Sequence, residues 1–351
     1  RNTVTYVLIK RRLNMKKHIR PMVPALGALV LLCAAYGIIT WHQGRNAESQ
    51  ALSPENASVY MTDLPELSSL SWTKDGKSLS FTREGGTWYY KGDTDCPIRQ
   101  YPLTTLSDTL SHLKAERKLE GADSPEAYGL DNPSVRFDTV SSDGSSHSIL
   151  VGSQVPGTGG SGPDGSQLPA QYYAAMDGDS QIYTIGSYLT ETAAKGLYDF
   201  VETESLPHVA GADIREITVS RNGQTRRFCK KTVDDAGNIA WYKDSDADEA
   251  NRLDDNGALN NLADAISGLS FQSCVSYKAS DEELGSYGLS EPIMTLSWTY
   301  ENGEADGALS LAIGSSTEDG TGYYTRKDDS RAVNLISKEA AERCLNAAYP
   351  K

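Results

Sequence analysis

Tyr128-Gly129-Leu130-Asp131-Asn132-Pro133 and Tyr287-Gly288-Leu289-Ser290-Glu291-Pro292 carry one phrase, Tyr-Gly-Leu-x-x-Pro, set 159 residues apart. A phrase repeated at that distance points to a duplicated unit, and the likeness extends from it in both directions. Upstream, Leu103, Leu106, Leu110 and Leu113 are answered at an offset of 156 by Leu259, Leu262, Ile266 and Leu269. Thr87-Trp88-Tyr89 returns at 153 as Ala240-Trp241-Tyr242. Leu67-x-x-Leu70, Asp75-Gly76 and Phe81 return at 147 as Ile214-x-x-Ile217, Asn222-Gly223 and Phe228. Downstream, Leu150-Val151-Gly152-Ser153 matches Ala312-Ile313-Gly314-Ser315 at 162, and Tyr172-Tyr173 matches Tyr323-Tyr324 at 151. The offset falls by 11 there because a Gly-rich insertion, Pro156 to Gln167, stands only in the first copy.

One copy read physically gives a topology. Asp75-Gly76 and Asn222-Gly223 lie between alternating segments, and Asn or Asp before Gly accepts the positive φ of a tight hairpin. The Trp segment follows as the third strand of a meander. Leucines spaced 3, 4, 3 mark an amphipathic helix with one buried stripe. After Tyr-Gly-Leu come two hairpins, turning at Asp143-Gly144 and Asp177-Gly178, and a short helix opened by Ser187 or Ser337. The expected fold class is α+β: two tandem repeats, each a mainly antiparallel meander and hairpin sheet, with one longer and one short helix covering one face.

Residues 61–205 make repeat 1, with the insertion at 156–167, and 206–351 make repeat 2; Glu202 to Gly211 reads as their junction. Before them stand a basic stub at 1–20, an uncharged run at 21–41 and a linker at 42–60 rich in Ser, Asn, Glu and Ala. The run PMVPALGALVLLCAAYGIITW would cross about 30 Å of hydrocarbon as a helix. Arg11, Arg12, Lys16, Lys17 and Arg20 precede it and only Arg45 closely follows, so the positive-inside bias leaves the N-terminus cytoplasmic and the body outside. A transmembrane helix and a single-pass, extracytoplasmic protein of the cell membrane are therefore expected. Leu32 before Cys33 argues against lipidation there, and Met15-Lys16-Lys17 has the look of a natural start. The 351 residues hold 33 Lys and Arg against 47 Asp and Glu, but from Pro21 onward the balance is 26 against 47, or −21. Such an acidic body lacks the excess cations that nucleic acid or an anionic lipid surface would need.

With a Trp strand and leucine helix before Tyr-Gly-Leu-x-x-Pro and an Ile/Val-Gly strand after it, the chain resembles the bacterial domain-of-unknown-function family numbered 4340. The likeness covers roughly Leu67 to Cys344. It implies a single-pass, outward-facing protein associated with an ABC-type transport system, its partners being permease and ATPase components. The family has no established catalytic residues, so none is carried over.

The residues themselves single out no reaction. His18 and His42 flank the apolar run; His112, His147 and His208 show no metal-ligand spacing. Gly76-Lys77-Ser78 belongs to a hairpin rather than to a phosphate-binding strand-to-helix turn. Gly160-Ser161-Gly162-Pro163 is no nucleophile elbow but part of a flexible insertion. The best Ca²⁺ candidate is Asp244-x-Asp246-x-Asp248 with Asp255, but Glu249 stands where such a loop needs Gly, and Asp93-x-Asp95 echoes it in copy one as a solvated acidic loop. Cys96, Cys229, Cys274 and Cys344 could pair outside the cell, though none recurs in both copies, which suits buried small hydrophobes better. No catalytic, cofactor-binding or metal residue is therefore assigned. The leading expectation is a non-catalytic, membrane-tethered accessory or interaction protein. A surface enzyme acting on cell-wall or glycan material and a Ca²⁺-dependent adhesin-like module are the alternatives.

Overall fold

Each copy begins as the turn chemistry demands. The computed structural model describes residues 59–161, 166–244, 248–301 and 306–347. Strands β1 (Leu67–Lys74), β2 (Lys77–Glu84) and β3 (Thr87–Tyr90) form the first meander. Its opening turn has φ of 50° at Asp75 and 73° at Gly76, the mirror-image turn whose twist matches paired strands. After α1 (Gln100–Ser111) a two-residue strand, β4 (Arg117–Lys118), precedes β5 (Val135–Ser141), β6 (Ser146–Gln154), β7 (Gln171–Met176), β8 (Tyr183–Gly186) and α2 (Tyr188–Ala193). The second copy runs β9 (Ile214–Arg221), β10 (Gln224–Thr232), β11 (Ile239–Lys243), α3 (Gly257–Ser267), β12 (Ser273–Ser276), α4 (Asp281–Ser286), β13 (Met294–Glu301), β14 (Asp306–Ser316), β15 (Gly322–Lys327), β16 (Val333–Ser337) and α5 (Lys338–Leu345).

Both copies build an eight-stranded antiparallel sheet of the same order. It is β3-β2-β1-β5-β6-β7-β8-β4 in the first and β11-β10-β9-β13-β14-β15-β16-β12 in the second. The first strand of each copy sits mid-sheet beside the strand that follows Tyr-Gly-Leu, and the short strand after the long helix crosses to the far edge. That edge strand was not anticipated from sequence, since two to four residues are too few to show a period. Even the irregularities are duplicated: register shifts fall at Leu67/Ser69 and Ile214/Glu216, and at Val151/Gln154 and Ile313/Ser316.

The Tyr-Gly-Leu phrase ends a helical turn. In copy two the Leu289 N–H donates to Leu284 O (2.8 Å) and the Gly288 N–H to Gly285 O (3.0 Å); in copy one Leu130 N–H reaches Pro125 O (3.0 Å) and Gly129 N–H reaches Glu126 O (3.1 Å). This 6→1 and 5→2 pairing stops a helix with a left-handed residue, and Gly129 and Gly288 both have φ of 69°. The phrase then presses on the bulged strand. A Cβ on Gly314 would lie 2.3 Å from Tyr287 O, and one on Gly152 2.2 Å from Tyr128 O. Glycine is needed on both sides of the contact, once for conformation and once for room.

The cores follow from this frame. In repeat 1 the inward faces of β1, β2, β5 and β6 meet α1 through Leu67, Leu70, Trp72, Phe81, Phe137, Leu103, Leu106 and Leu110, with the Phe200 ring tilted against Trp72 at 5.5 Å between centroids. Repeat 2 repeats the plan with Ile217, Val219, Phe228, Trp241, Leu259, Leu262, Ile266 and Trp298. Each such side chain, fully buried, contributes about 1.5–3 kcal/mol. The expectation that helices cover one sheet face needs correcting, because the opposite face is also partly covered. Leu130, Leu150, Ala175 and Ile182 form a second small core in repeat 1, and Ala279, Leu284, Leu289, Ala312 and Val333 form its counterpart. Leu of the phrase anchors each one, and Tyr packs on the next hairpin, with Tyr128 4.7 Å from Tyr173 and Tyr287 4.6 Å from Tyr324.

Tyr60–Lys351 is one compact unit holding both sheets. Among the described residues no helix is long and apolar enough to cross a membrane; the run at 21–41 and most of the linker at 42–60 lie outside them. The insertion is better tied down than its composition suggests, since Gln154 Nε2 donates to Thr158 O (2.6 Å) and Ser161 bridges Gln167. Gly162 and Pro163 lie outside the described residues.

Gly288→Ala should cost about 1–3 kcal/mol in urea titration, because alanine pays for a left-handed backbone and meets Ser315. Gly285→Ala, helical and with only Ser290 Oγ at 3.8 Å, should leave stability unchanged or raised.

Candidate functional site

The third meander strand sets a tryptophan opposite a cation in each copy. Arg83 pairs in register with Trp88, and Lys230 with Trp241. The charges stand 5.8 Å and 5.0 Å from the ring centroids, within cation–π range. An amide at the start of the long helix pins the same tryptophan. Gln100 Oε1 accepts the Trp88 N–H (2.7 Å), and Asn256 Oδ1 accepts the Trp241 N–H (3.0 Å).

The copies then part. Arg83 turns outward to an ion pair with Glu66. Lys230 is 9% exposed and donates to Gly211 O and Ala212 O at 3.1 Å each, and burial holds its ammonium below the usual lysine range. A cavity of about 360 Å³ opens beside it, lined by Trp241, Asn256, Asn260, Asp264 and Ile239. Asn260 Oδ1 accepts the Trp241 indole N–H (2.9 Å), whereas the buried Trp88 indole N–H makes no hydrogen bond.

A second cluster lies on the seam between repeats. Cys274 and Tyr277 of repeat 2 pack with Cys96 and Ile98 in the repeat 1 core. The Tyr277 hydroxyl donates to Asp93 Oδ2 (2.9 Å), and Lys278 Nζ lies 3.7 Å from the same oxygen. The junction segment ties both sides: Glu202 N–H donates to Pro97 O (2.6 Å), while Glu204 accepts from Ser330 Oγ and Asn334 Nδ2 at 2.8 Å each. The Asp95 N–H first, and then the Tyr277 hydroxyl, hold the Asp93 carboxyl below its ordinary 3.8.

The uncovered part of each outer sheet face differs again. In repeat 1 Arg136 donates to Asp138 (2.9 Å) and Ser148 (2.8 Å) and pairs with Asp177 (2.9 Å). The matching positions in repeat 2 hold Thr295, Ser297, Ser310 and Asp328, uncharged but for the last, beside a groove of about 260 Å³.

A family model described as Domain of unknown function (DUF4340) matches residues 88–256 and again 241–348. The chain belongs to the DUF4340 family. Each matched stretch opens on the pinned tryptophan, Trp88 or Trp241, and the two together cover well over half of the sequence. No curated protein and no solved structure matches this DUF4340 chain.

The DUF4340 fold disperses the candidates drawn from sequence. Asp244 sits at φ 61°, Asp248 caps a turn by accepting the Ala250 N–H (3.2 Å), and Asp255 accepts the Gly257 N–H (2.7 Å); Asp246 lies outside the described residues. Asp93, read as a solvated loop acid, instead anchors the seam. Among the described residues no three His, Cys, Asp or Glu gather as metal ligands. His112 ends α1, 3.4 Å from Asp63, His147 contacts Ser145, and His208 is exposed. Gly76-Lys77-Ser78 forms the hairpin expected. Cys96, Cys229, Cys274 and Cys344 are all buried, and burial pushes the thiols of Cys96 and Cys274 up to about 11 and that of Cys344 to about 12. Sequence reasoning missed Lys230, Gln100 and Asn256, although Arg83 and Lys230 share the offset of 147, and Gln100 and Asn256 that of 156.

A depressed carboxylate stabilises above its unfolded pKa and loses that contribution as pH falls through the folded one. Asp93→Asn should therefore lower stability near neutral pH, and the gap to the parent should close as urea titrations move below about pH 4. The thiols of Cys96, Cys274 and Cys344 should react with a disulfide reagent only when the chain is unfolded, since thiolate is the reactive form.

Proposed function

We propose that this chain is a non-catalytic accessory or interaction protein, held at the outer side of a cell membrane by a single helix over residues 21–41 and serving an ABC-type transport system. The observation that supports this reading most is how the copies differ. The frame is duplicated down to its bulges and capping glycines, while many of the side chains displayed on it carry different chemistry. Arg136 and Asp138 face Thr295 and Ser297 across the duplication, and an outward Arg83 faces a retracted Lys230. Divergent outer faces on a constant frame fit two surfaces that meet different partners, since binding specificity resides in side chains displayed on such a frame. The apolar run and its basic flank support the tether. The family resemblance supports the transporter.

Photo-crosslinking from Arg136 and Thr295 in native membranes tests the proposal. Crosslinks from either position to a permease subunit are the expected result. A chain that washes off membranes with alkaline carbonate, or crosslinks that never reach a transporter subunit, would overturn it.

A further inference from the structure

The cavity beside Trp241 holds hydrogen-bonding capacity that the fold leaves unspent. Lys230 gives two N–H bonds to Gly211 O and Ala212 O and makes no ion pair, so one N–H remains. A buried ammonium without a carboxylate within bonding distance departs from the rule that buried charges are paired. Asp213 and Asp264 act on it only through space. Asn260 spends its Oδ1 on the Trp241 indole and keeps both amide N–H bonds. One turn on along α3, the Asp264 carboxylate lines the same cavity with no hydrogen bond or ion pair of its own.

Gly211 makes room for the carboxylate. Its carbonyl receives Lys230, and a Cβ on it would lie 2.2 Å from Asp264 Oδ1, so any side chain there would collide with Asp264 where it lines the cavity. Copy one has no such arrangement. Arg83 is spent on Glu66 and on Gly86 O, Thr104 stands for Asn260, and Leu64 for Gly211, although Asp108 matches Asp264.

We infer that this cavity binds the zwitterionic head of a free α-amino acid, its carboxylate on the Lys230 and Asn260 N–H groups and its ammonium on Asp264. The ligand side chain lies against Ile239, which is 49% exposed at the rim. A simple anion fits worse because Asp264 repels it. A sugar fits worse because Trp241, 1% exposed and covered by Lys230, offers no stacking face. The volume of about 360 Å³ is at the small end of ligand cavities, as an amino acid requires. The inference stands independently of the transporter assignment.

The test is calorimetry on the full chain in detergent micelles with each proteinogenic amino acid. Single-charge analogues are run beside them: for L-leucine, 4-methylpentanoate and 3-methylbutylamine. The expected result is binding of at least one amino acid, with both analogues weaker by about tenfold or more. Asp264→Asn should weaken binding by a similar factor while leaving the ligand-free melting temperature within about 2 °C, as an exposed substitution does. Lys230→Met should abolish binding, and because that variant removes a buried prop, Asp264→Asn decides if it fails to fold. No heat from any amino acid at millimolar concentration, equal binding of the analogues, or undiminished binding by Asp264→Asn would each overturn the inference.

Discussion

The contact between the Tyr-Gly-Leu turn and the bulged strand governs each repeat. A tyrosine carbonyl, Tyr128 O or Tyr287 O, occupies the place where a side chain on Gly152 or Gly314 would stand. For the carbonyl to arrive there, the chain must leave a helical turn through a left-handed residue, which Gly129 and Gly288 supply at φ 69°. The strand in turn must bulge, which lets Tyr172 and Tyr323 re-enter pairing one step later. From this single approach follow the placement of leucine in the second core, the tyrosine pair above it, and the seating of the following strand beside the first strand of the copy.

Duplication of such a frame explains why the two repeats share turns, bulges and helix stripe although side chains on it differ, in the core (Trp72 against Val219, Thr139 against Trp298) as well as outside. Core positions answer to packing, which accepts exchanges that together keep volume and pattern, whereas surface positions are free to take on partners or ligands. The repeats are nevertheless not two independent beads. Cys274 and Tyr277 complete the repeat 1 core, and the junction segment is hydrogen-bonded to both neighbours. Lys230 shows the same divergence at one residue: a cation over tryptophan is retained in both copies, but only the second draws it inward and opens a cavity in front of it.

Much of this was legible in sequence. Asp75-Gly76 and Asn222-Gly223 fixed hairpins because only a few residue pairs accept two successive positive φ values. The leucine stripes marked α1 and α3, and the constant order of landmarks revealed the duplication. Other features had no sequence signal. Strands β4 and β12 are too short for a period, and their place at the far edge depends on tertiary closure. Asp93 read as one acid among many, because its partner Tyr277 lies 184 residues away. The Lys230 cavity was invisible since lysine in a polar strand is ordinarily solvated; only the matching offset with Arg83 hinted at a duplicated role.

Native-state hydrogen exchange at the Leu130 and Leu289 amides tests the governing contact most directly. These N–H groups close the 6→1 bonds to Pro125 O and Leu284 O that shape the turn, and they exchange when the turn opens. If the contact holds each repeat together, both amides fall in the slowest class and exchange with the free energy of global unfolding. Exchange of either amide by local opening, at the rate of surface turns, would contradict the account.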